Sequence, residues 1–331
     1  MLCGPSSVNV GLGVARLAVI LFAYTSTLTS CVCIHKPGKC GNAVYEDKAE
    51  LLASKFQATA FSSKGKQRTV FIPITLRRKG NAAAILLLHE LPALSAECLL
   101  LADRLADEGY DVYVPMLFGR SDDRDREDPT ATFVKNAIEM QLSGDWHPLF
   151  AEHKSSGITN WLRGFCREKI IQQDRHKCIA VIGMCATGAI PLALLDVREV
   201  KAVVLSQPAL PLFKCTAEGR RALGISREEL RLATERSFKE NLPILGFRFE
   251  KDPICPPTRF CELRVQFGPR FLDRTISASD CEASHIPVNA HSVLTGCYVE
   301  STRDTVKSPT QKAYLQMLTY LAKRLRHETD G

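Results

Sequence analysis

One run constrains this chain more than any other: Cys178-Ile-Ala-Val-Ile-Gly-Met-Cys-Ala-Thr-Gly-Ala-Ile-Pro-Leu-Ala193. Its opening residues are apolar and partly β-branched, as in a strand buried on both faces. Its closing residues are apolar and lead into a helix. Between them, Gly-Met-Cys-Ala-Thr-Gly allows a tight strand-to-helix bend. Gly183 and Gly188 lack the Cβ atoms that would collide when strand and helix approach this closely. Such a bend lifts Cys185 above the carboxyl ends of a parallel sheet, with the N–H groups of the following helix pointing toward it. This is the layout of a nucleophile elbow with cysteine in place of serine, although the second glycine falls one place later than in Gly-x-Ser-x-Gly. A buried structural cysteine is the alternative reading.

The flanking sequence supplies the rest of a sheet. Ala82-Ala-Ala-Ile-Leu-Leu-Leu88 is a continuous apolar run. Glu97 to Glu108 has helical periodicity that stops at Gly109, and Asp111-Val-Tyr-Val-Pro115 is the next strand. Strand–helix–strand in this order builds a parallel sheet. Further strands are expected at Ala202–Ser206 and Ile244–Phe249. Helices are expected at Ala49–Phe56, Ser226–Glu240, Pro256–Phe267 and Ser308–Arg326, and Ser226-x-x-Glu229 forms a capping box. Thr69–Leu76 contains Pro73 and reads as an edge strand. Residues 268–290 read as irregular. Residues 119–165 open on a highly charged stretch, contain a weak helical piece at Asn160–Ile171, and read as an excursion over the carboxyl ends of the strands that shapes a substrate pocket.

The expected architecture is α/β, a mainly parallel sheet flanked by helices. The chain has 331 residues, 45% of them apolar, enough for one large domain of this kind. The formal charge of +7 is scattered, and its densest pieces, Arg77-Arg78-Lys79 and Lys323-Arg324-Leu325-Arg326, are too short to argue for nucleic acid.

Residues 1–30 contain no acid, and their only base is Arg16. The apolar run Leu17–Tyr24 is too short to span a bilayer and has the proportions of a signal-peptide core. Leu28-Thr-Ser-Cys31 resembles a bacterial lipobox. These features predict a leader at 1–30, lipidation of Cys31 with membrane attachment, a tether and N-terminal segment at 31–64, and the folded domain at 65–331. A cytoplasmic protein with a frayed N-terminal helix is the alternative. The chain has 13 cysteines but no Cys-x-x-Cys pair, which argues against a structural zinc site.

Three further groups fall at the ends of predicted strands or just beyond. His89-Glu90 closes the strand at 85–88, Asp252 follows the strand at 244–249, and His291 lies in Val288-Asn-Ala-His-Ser-Val-Leu-Thr295. The carboxyl ends of a parallel sheet converge on a ligand crevice. The order Cys185, Asp252, His291 is the nucleophile–acid–base order of α/β-hydrolases. His285 is the main rival to His291, and Ser206 is the alternative nucleophile.

Together, Leu-Leu-His89-Glu90, Ile182-Gly-Met-Cys-Ala-Thr-Gly188, Leu245-Gly-Phe-Arg-Phe-Glu-Lys-Asp252-Pro and Ala290-His291-Ser-Val-Leu-Thr resemble the dienelactone hydrolase family over roughly residues 65–325. The resemblance implies an α/β-hydrolase fold and a Cys–His–Asp triad of Cys185, His291 and Asp252. It also implies that Glu90 takes part in activating the thiol when substrate arrives, and that the backbone N–H groups of Leu91 and Ala186 hold the oxyanion. The family's lactone-cleaving members hold a substrate carboxylate with arginines. One is expected four residues after the histidine, where this chain has Thr295.

The expected function is a hydrolase acting on a small ester, lactone or thioester, with no metal or organic cofactor. The contrasting reading is a non-catalytic binding or scaffold protein of the same fold, in which Cys185 is inert. Other signatures fail: Gly11-Leu-Gly-Val-Ala-Arg16 lacks the third glycine of a dinucleotide loop, no Walker A motif is present, and His89-Glu-Leu-Pro-Ala93 lacks the second histidine of a zinc peptidase.

Overall fold

The computed structural model describes residues 48–74, 83–119, 135–136, 155–209, 221–300 and 307–325. The leader-like run, Cys31 and Arg77–Lys79 lie outside them. Among the described residues, no helix is long and apolar enough to cross a membrane.

The strands are β1 (Phe56–Ser63), β2 (Lys66–Pro73), β3 (Ala84–Leu88), β4 (Asp111–Pro115), β5 (Ile179–Met184), β6 (Val200–Ser206), β7 (Ile244–Phe249) and β8 (Phe271–Ile276). They form one sheet in the order β1-β2-β4-β3-β5-β6-β7-β8. β1 and β2 pair antiparallel, as do β2 and β4, and every pairing from β4 to β8 is parallel. The helices are α1 (Lys48–Lys55), α2 (Ala96–Asp107), α3 (Gly157–Gly164), the short α4 (Ile190–Ala193), α5 (Arg227–Lys239), α6 (Pro257–Phe267), α7 (Ala278–Ala283) and α8 (Pro309–Leu325).

Side chains alternate across a strand, and the two faces of this sheet feed two separate apolar clusters. Leu86, Leu88, Val181 and Leu205 pack with α3, α4, α5 and α6 on one face. Ile85, Leu87, Ile182 and Val204 pack with α2 and α8 on the other. That is why β3 and β5 read as unbroken apolar runs: neither face meets water.

The structure corrects the sequence reading in three places. First, part of the 31–64 segment belongs to the sheet. β1 turns through Lys64 and Gly65, both at positive φ, into β2, so β2 is an inner strand and not an edge. Only Phe56 and Ser63 of β1 are buried, which leaves little apolar signal to read. Pro73 ends β2, where its missing N–H costs the ladder little. Second, residues 268–290 are not irregular: they hold β8 and α7. β8 is the opposite edge, and its exposed Arg274 and Thr275 are the polar residues that edges carry.

Third, the excursion is shorter than 119–165. α3 buries Ile158, Trp161 and Leu162 in the core, and its chain continues as wide π-type turns over Phe165–Gln173. The indole N–H of Trp161 donates to the Lys66 carbonyl at 3.0 Å.

The returning chain is anchored at Ser155, whose hydroxyl donates to Glu229 Oε1 at 2.6 Å. The same oxygen takes the Arg163 guanidinium at 2.6 Å. The capping box closes around the other oxygen: the Ser226 N–H donates to Glu229 Oε2 at 2.7 Å, and the Glu229 N–H donates to Ser226 Oγ at 3.1 Å. Burial pushes the Glu229 carboxyl up, but the hydrogen bonds from Ser155, Ser226 and Arg163 outweigh it and leave the group below the usual carboxylate range. A carboxyl depressed on folding stabilises above its unfolded value, about 4.3, and that contribution fades as pH falls through the folded value. Glu229→Ala is expected to cost roughly 2–4 kcal/mol at neutral pH by urea denaturation, the gap narrowing toward pH 3.

Candidate active site

Strand register brings the site together. Leu88 pairs with Gly183, Gly183 with Leu205, and Ser206 with both Met184 and Phe247. The residues just past these ends, Glu90, Cys185, Gln207 and Asp252, therefore share one edge of the sheet.

Cys185 heads a single 3-10 turn, Cys185–Thr187, directly after β5. Its φ of 52° lies in the left-handed region that non-glycine residues avoid. Close contacts enforce it. A Cβ on Gly183 would sit 2.4 Å from the Thr187 carbonyl oxygen, and one on Gly188 would sit 2.5 Å from Pro208 Cα. The Cys185 carbonyl accepts two N–H bonds, from Gly188 at 2.9 Å and Ala209 at 2.8 Å. The side chain itself is partly exposed.

His291 is buried, and its Nδ1 faces Asp252 Oδ2 at 2.7 Å. Asp252 is buried as well; its Oδ1 accepts the N–H groups of Ile254 at 2.8 Å and Cys255 at 3.0 Å. With Oδ2 on the imidazole, both carboxylate oxygens are occupied, which fixes the ring orientation. Nε2 of His291 is buried and is the nitrogen left to face the Cys185 thiol. One donor atom from each of Glu90, Cys185 and His291 lies within 4.8 Å of the others. Burial pushes the His291 pKa down, but the charges of Asp252 and Cys185 and hydrogen bonds to both hold it well above the ordinary imidazole range.

Glu90 is held over the same spot. Ser292 Oγ donates to its Oε2 at 2.7 Å, Thr295 Oγ1 donates to its Oε1, and Gln207 Nε2 reaches Oε2 at 3.5 Å. At the position where lactone-cleaving relatives were expected to carry arginine, a hydroxyl grips Glu90. Leu91 and Ala186, each the neighbour of a site residue, pack against the same apolar cluster. The rivals fall away: His285 is exposed on a turn, and Ser206 is fully buried with its hydroxyl on Gln207 Oε1.

Several supporting residues carried no readable signal. Thr187 is buried; its hydroxyl accepts from the Met184 N–H at 3.0 Å, and its one proton is shared among the carbonyls of Met184 (2.9 Å), Leu88 (3.1 Å) and His89 (3.2 Å), which ties the bend to the end of β3. His89 Nε2 accepts the Leu117 N–H at 3.0 Å, so its Nδ1 carries the proton and donates to the Glu90 carbonyl at 3.0 Å. Gln207 Oε1 also accepts the Val293 N–H at 3.3 Å, linking β6 to the His291 loop. Arg248 donates to the carbonyls of Cys255 (2.9 Å) and Glu250 (2.8 Å) and so shapes the loop around Asp252. Arg259 is buried and donates to the carbonyls of Pro208, Ala209 and Ala222; burial lowers its pKa to about 10 against the opposing effect of Cys255. From the excursion, Asn136 Nδ2 donates to the Pro92 carbonyl at 2.9 Å, two residues from Glu90.

Two outcomes follow from this geometry. Gly188→Ala is expected to lower Tm by several degrees and shift the thiol, because the neighbour it strikes is backbone; an unchanged Tm contradicts the packing. Nitrogen NMR is expected to find the His291 ring titrating above the usual histidine range. In Asp252→Asn the titration should fall, because burial then meets less opposition. The sign is that of a raised imidazole: its stabilising contribution is complete below about pH 6.5 and is lost as pH rises through the folded value.

No curated protein matches the chain in sequence. Solved structures share its fold, two of them as follows. A putative dienelactone hydrolase from Klebsiella pneumoniae subsp. pneumoniae MGH 78578 is 17% identical with a TM-score of 0.55, the match covering 81% of this chain and 98% of that one. A dienelactone hydrolase-like promiscuous phosphotriesterase from metagenomic libraries is 12% identical with a TM-score of 0.51, again covering 81% and 98%. The model of the dienelactone hydrolase family matches residues 73–267, which run from the end of β2 to the end of α6 and take in Glu90, the Cys185 bend and Asp252. More than half of the sequence is thereby matched, and the chain belongs to the dienelactone hydrolase family.

Proposed function

We propose that this hydrolase cleaves a small ester, lactone or thioester through an acyl-thioenzyme on Cys185. The observation that carries the reading is the meeting of Glu90, Cys185 and His291 within 4.8 Å at the edge of the sheet, with Asp252 behind the imidazole. When substrate arrives, His291 takes the thiol proton and leaves the Cys185 sulfur as thiolate beside the imidazolium. The sulfur attacks the substrate carbonyl carbon, and the π electrons move to oxygen. The N–H groups of Leu91 and Ala186 receive that oxyanion, a contribution of about 3 kcal/mol per donor. Collapse expels the alkoxide or thiolate, which takes the His291 proton and departs.

Water completes the cycle. Neutral His291 takes a proton from it as hydroxide attacks the thioester. The second collapse returns the Cys185 thiolate beside a protonated His291 and frees the acid. Asp252 keeps Nδ1–H of His291 donated and Nε2 aimed at the sulfur throughout. Glu90, gripped by Ser292 and Thr295, is the carboxylate that takes part in activating the thiol.

The test is hydrolysis of p-nitrophenyl acetate and a thioester by the full chain. Cys185→Ala is expected to lower kcat/KM by at least about a thousandfold, and brief incubation with substrate to add one acyl mass to Cys185. Equal rates in the two proteins, or an acyl group on another residue, would remove Cys185 from its role.

A further inference from the structure

The site also presents a feature that acyl transfer does not require. The three donors around the thiol are a sulfur, an imidazole nitrogen and a carboxylate oxygen, all within 4.8 Å of one another. Sulfur and imidazole with one carboxylate is a donor set that suits zinc. A tetrahedral zinc ion with bonds of about 2.0–2.3 Å sets its donors about 3.3–3.7 Å apart, so the three side chains need contract by only about 1 Å. His291 Nε2 is buried beside the thiol, and its lone pair can serve an ion once the proton between them is lost.

The supports that hold metal ligands in place are already built. A zinc-bound histidine commonly donates its other ring N–H to a carboxylate. Here Nδ1 of His291 faces Asp252 Oδ2 at 2.7 Å. A metal-bound carboxylate is itself hydrogen-bonded, and Glu90 is gripped by Ser292 at 2.7 Å and by Thr295. The bend that fixes Cys185 leaves its sulfur little backbone freedom, since Gly183 and Gly188 admit no Cβ.

We propose that Glu90, Cys185 and His291 form a reversible zinc-binding site and that bound zinc switches the thiol off. Sγ, Nε2 and one carboxylate oxygen give electron pairs to the ion, water takes the fourth position, and the one proton held between the thiol and the imidazole goes to solvent. The sulfur lone pair that would attack a carbonyl is then held in a metal bond. The inhibitory half rests on the hydrolase reading; the binding half rests on the donors alone.

The experiment separates the two. The full chain is alkylated with iodoacetamide in a non-coordinating buffer, and Cys185 is followed by peptide mass. Zinc chloride is expected to slow alkylation of Cys185 at least about tenfold, EDTA to restore it, and magnesium to leave it unchanged. Calorimetry with zinc chloride is expected to lose one binding event in Cys185→Ser and in His291→Ala, and Asp252→Asn to weaken that event by about 10–100-fold. Wild type capped at Cys185 with a small thiosulfonate gives the same reading without mutation, should a variant fold poorly. Zinc protection of Cys185 in a protein that cleaves no ester keeps the metal site and removes the hydrolase reading. Cys185-dependent hydrolysis with neither protection nor inhibition by zinc, or unchanged calorimetry in both variants, overturns the metal site.

Discussion

Backbone pressed against backbone at one bend sets the geometry of everything around it. Gly183 lies against the Thr187 carbonyl and Pro191, and Gly188 lies against Pro208, each closer than any Cβ allows. The chain can turn this sharply only if Cys185 enters the left-handed region, at a cost of about 1–2 kcal/mol. Two N–H bonds to the Cys185 carbonyl help to offset that cost. Thr187 then fastens the bend to the end of β3 through its hydroxyl, and the next residues of that strand's exit are His89 and Glu90. Position along β3 and position of the thiol are thus one structural fact.

Most of this architecture can be read in the sequence where both faces of an element are dry. β3 and β5 are continuous apolar runs, and β7 is apolar apart from Arg248, because two clusters cover them; their ends lead to Glu90, Cys185 and Asp252. Legibility fails where burial is one-sided. β1 shows only two buried residues and β8 puts charged residues outward, so neither carries an apolar run. α3 reads as a weak helical piece at Asn160–Ile171, but its place in the core is hidden for another reason. The charged stretch before it suggests a long loop, yet Trp161 and Phe165 stack at 5.2 Å inside the core. Helical periodicity in a segment this short cannot distinguish a core helix from a surface one.

The supporting shell of the site was the least readable part. Thr187, Gln207 and Arg259 act through hydrogen bonds to carbonyls and amides brought close only by the fold. Thr295 is the instructive case. The sequence showed that the expected arginine was missing but not what its absence meant. The hydroxyl there, with Ser292, satisfies a carboxylate through neutral donors, each contributing about 1.5–3 kcal/mol to a charged acceptor. Glu90 is therefore fixed in place by partners that add no positive charge of their own.

The two anchors beside the excursion set boundaries of another kind. On one side Asn136 is pinned to the Pro92 carbonyl; on the other, Ser155 is pinned to Glu229, whose remaining bonds serve α5 and Arg163. Each pin ends on a group that the core already holds: Pro92 lies two residues past Glu90, and Glu229 caps α5 and pairs with Arg163. A substitution at either pin therefore reaches past the surface, toward the reacting carboxylate on one side and into the helix layer on the other.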